Sequence, residues 1–212
     1  ELEAERDRIR EEARSYRLLR APSDEPGAPP SLQRDRDEER LLRSGVEEIQ
    51  LSVLFALRLL RSCLETHTVI LLWLDDTSRE LRIAELVSGE VELCEGPFTT
   101  RDGILGAVLT HAEPVTVSHL KPSYVLPYYH DTCPVRSVCA VPVFEQQALR
   151  GVLVVDRTRP EPFSLEEQQL VEGAARFVAR AIENERVFVQ LERTKVEQGK
   201  LYRASERLGA AI

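Results

Sequence analysis

The stretch KPSYVLPYYHDTCP, Lys121 to Pro134, holds three tyrosines, a histidine and a cysteine, and Arg136 follows it. Tyr124, Tyr128, Tyr129, His130, Cys133 and Arg136 are the candidate ligand-binding residues. Aromatic faces with a few polar groups suit a small organic molecule. The same tyrosines also read as a cover that lies on a sheet and encloses nothing but itself. Cys133 is the candidate reactive thiol, because His130 and Arg136 beside it would favour the thiolate. Cys133 and Cys139 both read as close to the edge of such a site, and thiol reductase chemistry needs a second thiol within reach. Asp156 ends an apolar run and could cap the turn after it or point into the site; the turn cap is the favoured reading.

Other chemistry finds little support. Cys63, Cys94, Cys133 and Cys139 form no CxxC pair, and three of the four sit in apolar runs, where a reduced cysteine packs as a small hydrophobe. A reducing cytoplasm is the expected compartment. His67, His111, His119 and His130 fall on different elements and lack the spacing of a helical metal site. No metal, no cofactor and no catalytic residue is expected. A net charge of -8 argues against nucleic acid as the main partner. No apolar run approaches the roughly 20 residues of a membrane span.

The elements that would position these residues begin with a hairpin. Val138 to Phe144 is apolar on both faces apart from the Cys139 sulfur, and Leu149 to Val155 nearly as apolar, with Gln146 and Gln147 between them as the polar turn. Strands that fail to alternate are covered on both sides. His67 to Leu74 reads as a buried central strand, Leu81 to Val87 as a half-exposed strand antiparallel to it, and Glu90 to Phe98 as a less regular extended piece. Arg101 to His111 is a short helix that Asp102 can cap, and Glu113 to Ser118 an edge strand marked by Pro114.

The 212 residues leave room for one domain of about 150 residues plus extensions. With Glu1 first and no methionine, the chain reads as a fragment or a processed product. Residues 1–20 form a charged helix with a thin coiled-coil seam, and 21–40 a proline-rich linker and helix start. From Leu32 to Leu64 one helix carries two apolar stripes: Leu42, Val46, Ile49, Val53, Leu57, Leu60 and Leu64 on one, and Leu51, Leu54, Phe55 and Leu59 on the other. A helix apolar on two sides packs against two things. The sheet is one, and a second copy of the chain is the other. Ser164 with Glu167 is a capping box that opens a helix running to about Arg203. Its seven-residue series Ala175, Ile182, Val189 and Val196 meets charged Glu185 and Glu192, so the register stays open. Leu51, Leu54, Phe55, Leu59, Ile182 and Val189 are the expected homodimer contacts.

The order helix, strand, strand, short helix, strand, aromatic loop, hairpin, long helix resembles that of GAF domains. DGILGAVLTHAEPVTV, RSVCAVPVFEQQALRGVLVVDR and EPFSLEEQQLVEGAARFVARAIENER carry the likeness, within Leu41 to Arg186. The resemblance implies an α+β fold with a six-stranded antiparallel sheet. The N- and C-terminal helices would lie on one face and form the dimer contact; a short helix and loop lid would lie on the other. It further implies a sensor domain at 41–186, with 187–212 a signalling helix towards an output or second sensor domain. The flanking helices look like those of bacterial signalling proteins, a GGDEF diguanylate cyclase or a sensor kinase. Cyclic-nucleotide-binding members carry an Asn-Lys pair where this chain has Asp156-Arg157, and bilin-binding members a Cys-His where it has Cys133-Pro134. The alternatives are a thiol enzyme similar to the free methionine sulfoxide reductases and a ligand-free dimerisation scaffold.

Overall fold

The computed structural model describes residues 30–75, 77, 79–89, 93–101, 103–131 and 134–209. The expected N-terminal helix and most of the proline-rich linker lie outside the described residues, as do Cys133 and Asp102.

Helix α1 spans Pro30–Leu64. It stops where Glu65 turns left-handed (φ 49°) and the Thr66 N–H closes back on the Arg61 carbonyl at 3.1 Å. Strands β1 (Thr68–Leu74) and β2 (Leu81–Ser88) follow, then the short helix α2 (Gly103–His111) and strand β3 (Val115–Val117). The hairpin forms as β4 (Ser137–Glu145) and β5 (Ala148–Arg157), turning through Gln146 and Gln147. The last element, α3, runs 45 residues from Leu165 to Gly209.

The strands make one antiparallel sheet in the order β2-β1-β5-β4-β3. β5 is therefore the middle strand and β1 its neighbour. The apolar runs explain the order. β5 is buried throughout from Gly151 to Arg157, whereas β2, at an edge, alternates between buried and exposed positions. The resemblance implies six strands; among the described residues there are five. The irregular piece expected at Glu90 to Phe98 contributes only single bridges, Leu81 to Phe98 and Leu93 to Tyr129. Its Gly96-Pro97 pair breaks the ladder, since proline offers no N–H.

Gly151 is required where β5 crosses β1. A Cβ there would lie 2.2 Å from the Leu72 carbonyl oxygen, so only glycine lets the two backbones approach this closely.

The chain divides into two compact units. The sheet, α2 and the adjoining turns of both long helices belong to Val53–Arg180. The other unit includes the part of α1 up to Ser52 and the part of α3 from Ala181 onward. Within it Gly45 faces the Phe188 ring, which a Cβ would meet at 2.6 Å.

Candidate functional site

Strand alternation separates two faces of the sheet. Ile70 and Leu72 of β1, Val138 and Ala140 of β4, and Val152 and Val154 of β5 share one face and one buried cluster. Ile104, Leu105 and Val108 of α2 cover it, together with Leu126, Tyr128, Tyr129 and Val135 of the tyrosine loop. α2 packs against β3, β4 and β5. The aromatic loop and α2 thus share one buried cluster with this face of the sheet.

Asp156 follows Val152 and Val154 by the same two-residue step, so its carboxyl points into this apolar layer and not towards the turn. The expectation of a turn cap is thereby corrected. Opposite it in the ladders stand Thr68 on β1 and Val138 on β4. Asp156 has no solvent exposure. Its Oδ2 accepts hydrogen bonds from both the Tyr128 and Tyr129 hydroxyls, each at 2.9 Å. Its Oδ1 accepts the Thr68 backbone N–H at 3.1 Å. Burial pushes the carboxyl up to about 7, with the bonds from Tyr128, Tyr129 and Thr68 opposing the rise.

The hydroxyl chain continues beyond the carboxylate. The Tyr129 hydroxyl lies 2.8 Å from Thr68 Oγ1, which lies 2.9 Å from Ser88 Oγ at the end of β2. Either oxygen of each pair can donate. Tyr128 and Tyr129, adjacent in sequence, turn both rings inward with centroids 4.9 Å apart. The Leu93 bridge to Tyr129 and the Cys94 N–H bond to the Tyr128 carbonyl at 3.0 Å hold their backbone.

The other candidates separate from this pair. Tyr124 stays 43% exposed on the rim. The Arg136 guanidinium donates to the Leu120 carbonyl at 2.9 Å, which ties down the start of the loop. His130 is exposed and sets its Nδ1 3.3 Å from Cys94 Sγ. Cys94 is thus the described thiol that meets the histidine; Cys133 lies outside the described residues. Cys139 is not at the edge of the lid. It sits between Val138 and Ala140 and so faces the opposite side of the sheet, where burial pushes its thiol up to about 11. It is a packing residue. Asp156 pointing inward was the less favoured sequence reading, and its link to Thr68 and Ser88 was not read at all. The available signal was the carboxylate in step with Val152 and Val154.

On that opposite face the end of β5 is clamped to the start of α3. Arg157 donates to Glu167 Oε1 at 2.7 Å and to the Glu161 and Pro162 carbonyls, with its guanidinium 4.0 Å from the Phe163 ring centroid. The capping box is closed in both directions: Ser164 N–H to Glu167 Oε2 at 2.7 Å, and Glu167 N–H to Ser164 Oγ at 3.2 Å. Burial raises the Glu167 carboxyl, but the Arg157 and Ser164 bonds and the Arg157 charge outweigh it, and the net shift is downward. The expected dimer residues Leu51, Leu54, Phe55, Leu59, Ile182 and Val189 are half-buried. Along α3 the exposed apolar residues include Leu170 (54%), Phe177 (48%) and Leu191 (63%), on a different seven-residue series from Ile182 and Val189.

Among the described residues no group of three His, Cys, Asp or Glu side chains is placed to hold a metal ion, and no helix is long and apolar enough to cross a membrane.

Solved structures share the fold at low identity. The GAF domain of a phosphoenolpyruvate-protein phosphotransferase from Coxiella burnetii is 19% identical, with a TM-score of 0.54 over 71% of this chain and 95% of that one. The free methionine-R-sulfoxide reductase of Neisseria meningitidis is 17% identical, with a TM-score of 0.55 over 70% of this chain and 90% of that one. The GAF domain of a two-component sensor histidine kinase from Bacillus halodurans is 15% identical, with a TM-score of 0.50 over 63% and 95%. No curated protein matches. The family model described as GAF domain matches residues 55–182, more than half of the sequence, and the chain belongs to the GAF domain family.

Proposed function

We propose that this chain is the regulatory sensor and dimerisation domain of a bacterial signal-transduction protein working in the cytoplasm. GAF domains are typically regulatory sensors in signalling proteins, and one similar fold belongs to a sensor histidine kinase. The observation that carries the reading is the tyrosine loop closed onto Asp156 on a sheet flanked in sequence by helices of 35 and 45 residues. Neither tyrosine hydroxyl is turned towards solvent, so a signal at this face must work by moving the loop. α1 and α3 cover the Cys139 face and meet their copies in a second chain. A small ligand or a partner at the lid shifts how the sheet carries these helices, and α3 passes the shift to an output domain of the diguanylate cyclase type. No catalysis is assigned to these residues. Tyr124, His130 and Arg136 rim the place where a ligand would enter; Cys133, the other residue proposed for this site, lies outside the described residues. Native mass spectrometry of the purified chain tests for an occupant: a co-purifying small molecule supports a ligand sensor, and the bare mass supports a scaffold whose lid encloses only itself.

A second reading, a thiol enzyme of the free methionine sulfoxide reductase kind, draws on the Cys94–His130 contact and the Neisseria meningitidis fold. Methionine sulfoxide turnover that disappears in Cys94→Ser or Cys133→Ser would favour it. The sensor reading expects no turnover in the unaltered chain.

A further inference from the structure

We propose that Asp156 is a proton-binding site, and that the bound proton holds the tyrosine loop closed on the sheet. The ligand class is the proton itself, and the loop is the responding element. The proposal draws on the regulatory reading only for what an opened loop does next; its tests read the loop and the carboxyl, so they can fail while that reading stands.

Three features carry it. First, the carboxyl is fully buried among Val138, Val154 and two tyrosines, and among the described residues no cation bonds to it. Its partners are three neutral donors. Second, the hydroxyl chain accommodates either charge state. With Asp156 ionised, donation runs from Ser88 to Thr68 to Tyr129 to Oδ2. With Asp156 protonated, it donates to the Tyr129 oxygen, and the chain reverses towards Thr68 and Ser88; the donor at each of those two contacts is interchangeable. No heavy atom moves, one proton enters or leaves, and the half-buried Ser88 is the end from which it exchanges. Third, the acceptors of the loop and the charge are the same atom. Tyr128 and Tyr129 share Oδ2, so the loop cannot leave the sheet without uncovering the carboxyl to water.

The surroundings from each packed element are accounted for. β1 presents Thr68, and the neighbouring His67 is held below its ordinary range by burial and by Arg61, which favours the neutral ring. β2 presents Ser88, β4 presents Val138, and α2 presents Ile104, Leu105 and Val108 to the shared layer. The adjacent Arg157 is committed to Glu167 on the opposite face, and His130 lies beyond Tyr129 against Cys94. Within this apolar layer Asp156 is the buried carboxyl, raised towards about 7 while the loop is closed. Once exposed, it returns to an ordinary carboxylate near 4. A site that binds a proton more tightly in one conformation is shifted towards that conformation by acid. Lower pH closes the loop, and higher pH opens it.

The test is a carbon-13 NMR titration of the Asp156 carboxyl in the full chain between pH 5 and 9, paired with hydrogen exchange of the Cys94 and Tyr129 amides. After correction for intrinsic base catalysis, exchange at pH 8 should be roughly tenfold faster than at pH 6, from the difference between the two carboxyl affinities. Asp156→Asn should abolish that pH dependence. A carboxyl midpoint below pH 5, or corrected exchange that does not change across the range, would overturn the proposal. The titration of the unaltered chain decides it even where the Asn variant does not fold.

Discussion

At the scale of single residues, Asp156 sets the chemistry of the lid. Its carboxyl is raised by burial from 3.8 to about 7, so the folded chain holds a proton that the unfolded chain gives up. The stabilisation linked to that proton is present below about pH 4 and is lost as pH rises towards 7, beyond which the loss is complete. Thermal melting should therefore show a drop between pH 5 and 7.5 that the Asp156→Asn variant lacks. The loss is on the order of 2–4 kcal/mol, the linkage value of a shift of this size. Tyr128→Phe removes one donor from a buried carboxylate. Denaturant titration should show a cost of about 1–3 kcal/mol at pH 8, where the acceptor is charged, and a smaller cost at pH 5. Cys139 should resist alkylation in the folded chain, because its buried thiol sits near 11 and offers almost no thiolate.

Elements succeed or fail here on backbone geometry as much as on side chains. Gly151→Ala places a methyl group against the Leu72 carbonyl, where backbone cannot yield, and should lower stability by roughly 2–4 kcal/mol in a denaturant melt. Ser164→Ala opens one half of the cap at the start of α3 and should cost about 1 kcal/mol. These two positions also mark what was legible in the sequence. Ser164 with Glu167 announces its cap by spacing alone, and the β4–β5 hairpin announces its two-sided burial by failing to alternate. The tyrosine pair was legible as a lid. Its acceptor was not, because a carboxylate at the end of a strand is more often a turn cap, and Thr68 lies 88 positions away. The role of Cys139 was misjudged from nearness in sequence; one step along a strand carries a side chain to the other face. The Cys94–His130 contact joins positions 36 apart, which no local pattern encodes.

At the scale of the whole molecule, the proposed sensor works as two copies joined through their long helices. Of the apolar series first read from the sequence, Ala175, Ile182 and Val189 are buried or half-buried, while Leu170 and Phe177, seven residues apart, and Leu191, two such steps further on past Asn184, remain exposed. An exposed series of this period suits a partner helix. Phe177→Glu puts a charge on it and should weaken self-association without changing the melting of the sheet. A sensor that acts by shifting paired helices must be paired to begin with. Sedimentation equilibrium of the unaltered chain at low micromolar concentration measures this directly. A mass twice that of the 24.1 kDa chain is the expected result, and a single 24.1 kDa species across that range would contradict the account.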